Sequence, residues 1–98
     1  MEGGAAAPSP DPRAHARRWA SNERIAASAR SHRFAERTAV PFICECSDDG
    51  CSELIRMPLG EFVSARTLGR YLVFPGHAVE ATLPLHAAQS YWIVGETA

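Results

Sequence analysis

Phe42-Ile43-Cys44-Glu45-Cys46-Ser47-Asp48-Asp49-Gly50-Cys51 holds every cysteine of the chain in one C-x-C-x4-C run. Its centre, Ser47-Asp48-Asp49-Gly50, is turn chemistry, because Asp tolerates the left-handed backbone region and Gly enters it freely. Val40-Pro41-Phe42-Ile43 leads in and Ser52-Glu53-Leu54-Ile55-Arg56-Met57 leads out, both with strand-like texture. The stretch predicts a β-hairpin with thiols at its tip, Cys44 and Cys46 arriving and Cys51 leaving. Residues two apart on an extended strand point to one side, so Cys44 and Cys46 can face a common ion. Three cysteines on an Asp/Gly turn are hard to place in an apolar core.

Working outward, the nearest matching ligand is His77, in Pro75-Gly76-His77. Closed zinc sites take four ligands, often three Cys and one His. The candidate metal site is therefore Cys44, Cys46, Cys51 and His77, with Glu53, His86 or His32 as substitutes for His77. The expected cofactor is Zn2+. An iron–sulfur cluster is the alternative, although ferredoxin spacings differ from C-x-C-x4-C.

Composition narrows the setting. Ninety-eight residues suit one modest domain, for which a metal staple is a useful supplement to a thin core. The Gly/Ala/Pro-rich residues 1–12 are expected to be unstructured, leaving 13–98 as a single small metal-binding domain. No apolar run approaches the roughly 18 residues that span a bilayer. The start lacks the pattern of a secretory signal, and an odd, closely spaced cysteine count suits reduced thiols, so a cytoplasmic setting is expected. The formal net charge of −1 gives no overall attraction for nucleic acid or anionic membrane.

The remaining elements are expected as follows. An Arg- and Ala-rich helix spans about 13–37, with Asp11 and Pro12 at its start and Ser21-Asn22 as a point where it can break. Trp19, Ile25, Ala26, Ala29 and Phe34 share one half of it, together with Arg30, Arg33 and Arg37. Pro58 opens a short helix that buries Leu59, Phe62 and Val63, and Gly69 ends it. Tyr71–Phe74 reads as a buried strand. Alternation from Val79 to Leu85 reads as another, demoted to an edge by Pro84, and Tyr91–Val94 reads as the last. The fold class is α+β: an N-terminal helix plus a small antiparallel sheet of four or five strands with a metal-binding hairpin.

Taken in order, Asn22-Glu23-Arg24-Ile25, Phe42-Ile43-Cys44-Glu45-Cys46, Gly50-Cys51-Ser52-Glu53, Phe74-Pro75-Gly76-His77 and Tyr91-Trp92-Ile93-Val94 form a set. The set resembles small uncharacterised actinobacterial proteins that share F-x-C-E-C-x4-C, a P-G-H turn and a Y-W-V-V-like strand. The resemblance covers about residues 17–95 and implies one intact domain with its site at the Cys/His positions. This chain departs from the pattern in its Ala-rich helix and at Leu83-Pro84-Leu85.

Function is expected to be non-catalytic. There is no phosphate loop, nucleophile elbow or HExxH motif. Without His77 the three thiolates would leave an open position, with Glu45 or Asp49 as a base for bound water, yet thiolates lower the ion's electrophilicity. The leading expectation is a zinc-stabilised binding or regulatory module acting on a protein partner or on a second copy of itself. The alternatives are a redox- or metal-responsive thiolate regulator and a nucleic-acid-binding accessory protein using the Arg-rich helix.

Overall fold

The computed structural model describes residues 14–48, 50–79 and 81–96. Residues 1–12, with the expected Asp11–Pro12 helix start, lie outside them, as do Asp49 and Glu80.

Helix α1 spans Ala14–Ser31 and runs unbroken through Ser21-Asn22. It stops well short of residue 37. Arg33 takes a left-handed φ of 61°. Around it, Arg33 N donates to Arg30 O and Phe34 N to Ala29 O. These are the two bonds of a Schellman cap, a place where glycine is usual. Here an arginine occupies it, so no residue type announces the stop. Phe34, expected on the packing face, is consequently about half exposed.

Strands β1 (Ala39–Ile43) and β2 (Leu54–Pro58) pair antiparallel, Val40 opposite Met57 and Phe42 opposite Ile55. Those four side chains are buried on one face, and the expected hairpin is present. Helix α2 (Leu59–Thr67) follows directly. Pro58 precedes it without a side-chain cap; instead Leu59 N donates to Thr38 O and Gly60 N to Glu36 O, so the segment before β1 satisfies the helix's first amides. Gly69, at φ 70°, closes α2 with the same pair of bonds seen after α1, Gly69 N to Arg66 O and Arg70 N to Ala65 O.

Strands β3 (Tyr71–Val73), β4 (Leu83–Ala87) and β5 (Trp92–Gly95) form a second antiparallel sheet in the order β3-β5-β4. The last strand is thus the central one. The fold is α+β with two small sheets, not the single sheet expected. The penultimate strand also starts later than the alternation implied. Val79 is buried in a loop and Ala81 is left-handed at φ 64°, which breaks the extended run before Leu83. Pro84 does sit on an edge strand, beside an irregularity in register between Pro84 and His86.

One core joins Phe42, Ile55 and Met57 of the hairpin to Leu59 and Phe62 of α2, to Ala26 and Ala29 of α1, and to Leu72 and Ile93 of the second sheet. Phe42 and Phe62 stack with ring centroids 4.5 Å apart. A smaller cluster contains Cys44, Cys46, Val73, Val79 and Val94.

Candidate metal centre

Beyond Ile43 the chain leaves the hairpin and crosses to the other sheet. Cys44 N still donates to Glu53 O across the hairpin, but Glu45 N donates to Leu72 O of β3 and Ser47 N to Ala78 O. Cys44 and Cys46 therefore lie between the two sheets, both buried, while Cys51 on the return limb is half-buried. His77 arrives from the second sheet. Its amide donates to Phe74 O, closing a turn with Pro75 next and Gly76 at φ 87°. A positive φ at the third position after proline at the second defines a type II turn, which glycine adopts without steric cost. This turn aims the imidazole back at the cysteines.

Cys44, Cys46, Cys51 and His77 offer ligand atoms that all lie within 4.8 Å of one another. His77 Nδ1 is 3.5 Å from both Cys44 Sγ and Cys51 Sγ. All three cysteines are free thiols. This geometry fits a small metal-binding module. The proposed substitutes stay apart: His32 Nδ1 contacts Ser28 O on α1, His86 lies beside Tyr91 on the second sheet, and the exposed Glu53 contributes only its carbonyl to the hairpin.

Burial pushes the Cys44 thiol well above its ordinary range; the amides of Phe74 and Cys46 oppose this, and the neighbouring thiols Cys46 and Cys51 reinforce it. Burial likewise raises Cys46. Without a cation, burial favours the protonated thiols of Cys44 and Cys46; a divalent ion would supply the charge that buried thiolates need. Donors are in place for those thiolates, with Phe74 N 3.1 Å from Cys44 Sγ and Arg18 Nη1 3.7 Å from Cys46 Sγ.

Glu45, expected alongside Asp49 as a base for bound water, points the other way. Its carboxylate is fully buried and receives both Nη1 and Nη2 of Arg66, the Leu72 amide at 3.0 Å and Asn22 Nδ2 at 2.7 Å. Arg66 also binds Glu23 through Nε at 2.6 Å, and its guanidinium lies 3.4 Å from the Trp19 ring centroid. Asn22 in turn brackets Ile43, donating to its carbonyl at 2.8 Å and accepting from its amide at 2.9 Å. A buried carboxylate requires a partner of this kind, and removing one side of such a pair costs about 3–5 kcal/mol. Glu45 is a structural anchor that fixes the backbone between two cysteines. Strand alternation contained the signal: if residues 44 and 46 face the ion, residue 45 faces the protein. Asn22, Arg66 and Arg18 carried no such signal, because their partners in the Ile43–Cys51 segment are 21 or more positions distant.

Comparison with family models, curated proteins and solved structures returns no match. Among the described residues, no helix is long and apolar enough to cross a membrane.

Proposed function

We propose that the chain is a small zinc-stabilised binding or regulatory module of the cytoplasm, acting through protein contacts and not through catalysis. One observation carries the reading: two sheets with separate hydrogen-bond ladders each deliver ligands to one point, three sulfurs from the hairpin limbs and one imidazole from the β3 turn. Zinc fits the donor set. A tetrahedron with Zn–S near 2.3 Å and Zn–N near 2.0–2.1 Å has edges of roughly 3.5–3.8 Å, and His77 Nδ1 stands 3.5 Å from two of the sulfurs. With four protein ligands no position remains open for substrate, which favours a structural ion.

A protein partner is supported by the surface around β4. Leu83 and Leu85 on this edge strand and Leu68 after α2 are large apolar side chains left exposed. Leu68 and Leu85 line a cleft of about 320 Å³ together with Glu61, Arg70 and His86. The second reading, a thiolate switch, is favoured by the partial exposure of Cys51, the one sulfur open to an oxidant.

Elemental analysis of the purified chain with an ultraviolet–visible spectrum tests the reading. About one colourless zinc per chain is expected, and a Cys46→Ser variant should lose most of it. A brown spectrum would replace zinc by an iron–sulfur cluster, and fully folded, metal-free protein purified without chelator would end the metal reading. Mild peroxide separates a static site from a switch, since only the switch releases zinc.

A further inference from the structure

Arg18 sits on α1, far from the cysteine run in sequence, yet it touches the described residues of that run at four points. Its Nη1 donates to Cys46 O at 3.0 Å and to Asp48 O at 2.8 Å, and lies 3.7 Å from Cys46 Sγ. Its Nη2 donates to Cys51 O at 2.9 Å. Three carbonyls of one short loop thus converge on a single guanidinium. The fork of donors makes this possible; an ammonium is a point charge on a flexible stem and cannot span the same acceptors in fixed geometry.

The placement follows from the helix repeat. Arg18, Asn22, Ala26 and Ala29 recur at spacings of four, four and three, so they share one face. Ala26 and Ala29 pack on the core, Asn22 brackets Ile43, and Arg18, one turn further toward the N-terminus, reaches the ligand loop. The charge also matches. A divalent ion with three thiolates and a neutral imidazole carries a net −1, and Cys46 is buried, where an opposing charge counts for more than it does in water. Arg66 cannot serve in its place, since its charge already faces Glu45 and Glu23.

We infer that Arg18 is an outer-sphere partner of the metal centre: its guanidinium opposes the excess negative charge of the thiolate site and holds the Cys46–Cys51 loop in its ligating shape. The inference rests on the zinc reading above. Outer-sphere partners of metal ligands typically change affinity by about 10–100-fold when removed. By reciprocity, occupancy of the site strengthens the docking of the N-terminal half of α1.

The test is zinc affinity of the full chain, measured by competition with a chromophoric chelator, for the parent, Arg18→Met, Arg18→Lys and Arg24→Met. Arg18→Met keeps the apolar stem and should bind about 10–100-fold more weakly. Arg18→Lys keeps the charge without the fork and should fall between it and the parent. Arg24, exposed on the same helix, removes an equal charge away from the loop, and its variant should stay within about twofold of the parent. The gap in melting temperature between loaded and chelated protein should shrink in Arg18→Met. A purely structural arginine would lower both melts equally and leave the gap unchanged. Arg18→Met binding within about threefold of a zinc-loaded parent overturns the inference and leaves the zinc reading standing. Should Arg18→Met fail to fold, an Arg18→Lys affinity equal to the parent's overturns it equally. A parent that takes up no zinc removes the zinc reading itself, and this inference with it.

Discussion

The two sheets of this protein are joined at two places by different physics. At one, Phe42, Ile55 and Met57 of the hairpin meet Leu72 and Ile93 of the second sheet through an apolar core shared with both helices. At the other, the same two sheets meet through three thiols, an imidazole and the buried Glu45 network. Apolar packing is non-directional and tolerates changes of pH and redox state. The polar junction depends on hydrogen-bond geometry and gathers a Cys/His group that could hold a metal ion, so it is open to protons and oxidants. A domain this small places a condition-sensitive joint beside an insensitive one, and each can be broken separately.

Chelation should break the polar joint with the largest effect. An ion present at about a thousandfold its Kd stabilises by about 4 kcal/mol, which is roughly 15–30 °C in melting temperature for a domain of this size. Phe42→Ala should cost about 3–5 kcal/mol through the apolar joint. If the two joints are independent, that cost is the same with and without chelator. Melts of both proteins in both conditions form a double cycle, and a cost that vanishes on chelation would show instead that the ion organises the core.

Glu45→Gln comes next. It keeps the shape of the side chain but leaves the guanidinium of Arg66 without its buried counter-charge, at a cost of about 3 kcal/mol. Denaturant unfolding of the chelated protein should retain this loss, because the network lies on the protein side of the ligand strand. A loss seen only in the zinc-loaded protein would place Glu45 in the metal site after all.

Tyr91 offers a smaller effect at the edge of the apolar joint. Burial, aided by the hydrogen bond its hydroxyl donates to Glu61, pushes its pKa up to about 12. The folded state therefore holds this proton more tightly than the unfolded chain. The contribution is fully present below pH 10 and is lost as pH rises from about 10 to 12. Tyr91→Phe should remove that alkaline slope and cost about 1 kcal/mol at neutral pH. An unchanged slope would assign the alkaline loss to other groups.

The smallest effect tests the cap of α1. Arg33 holds a left-handed backbone that glycine adopts more readily, so Arg33→Gly should stabilise by about 0.5–1 kcal/mol in chemical denaturation. Destabilisation would mean that the arginine side chain contributes more than its backbone costs.

Much of the fold was legible because its signals are local. Pro58 ahead of α2, Gly69 after it, and Pro84 on an edge strand each act within a few positions, and each stands where that chemistry places it. The misreadings occurred where local signals were absent or overridden. Arg33 stops α1 without a glycine, and a left-handed Ala81 interrupts an apparently regular alternation.

The sequence by itself determined which chemistry is present: three closely spaced thiols and a histidine on a Pro-Gly turn, whose residue types offer a candidate soft-metal ligand set. Only the tertiary structure decided that there are two sheets, that the ligand strand crosses from one to the other at Glu45, and that Asn22, Arg66 and Arg18 are spent on holding it there. The physical reason is range. Turns and caps are settled among neighbouring residues, whereas a buried carboxylate or a loop of converging carbonyls takes its partner from whatever the packed chain brings within about 3 Å, and that partner has no fixed distance in sequence.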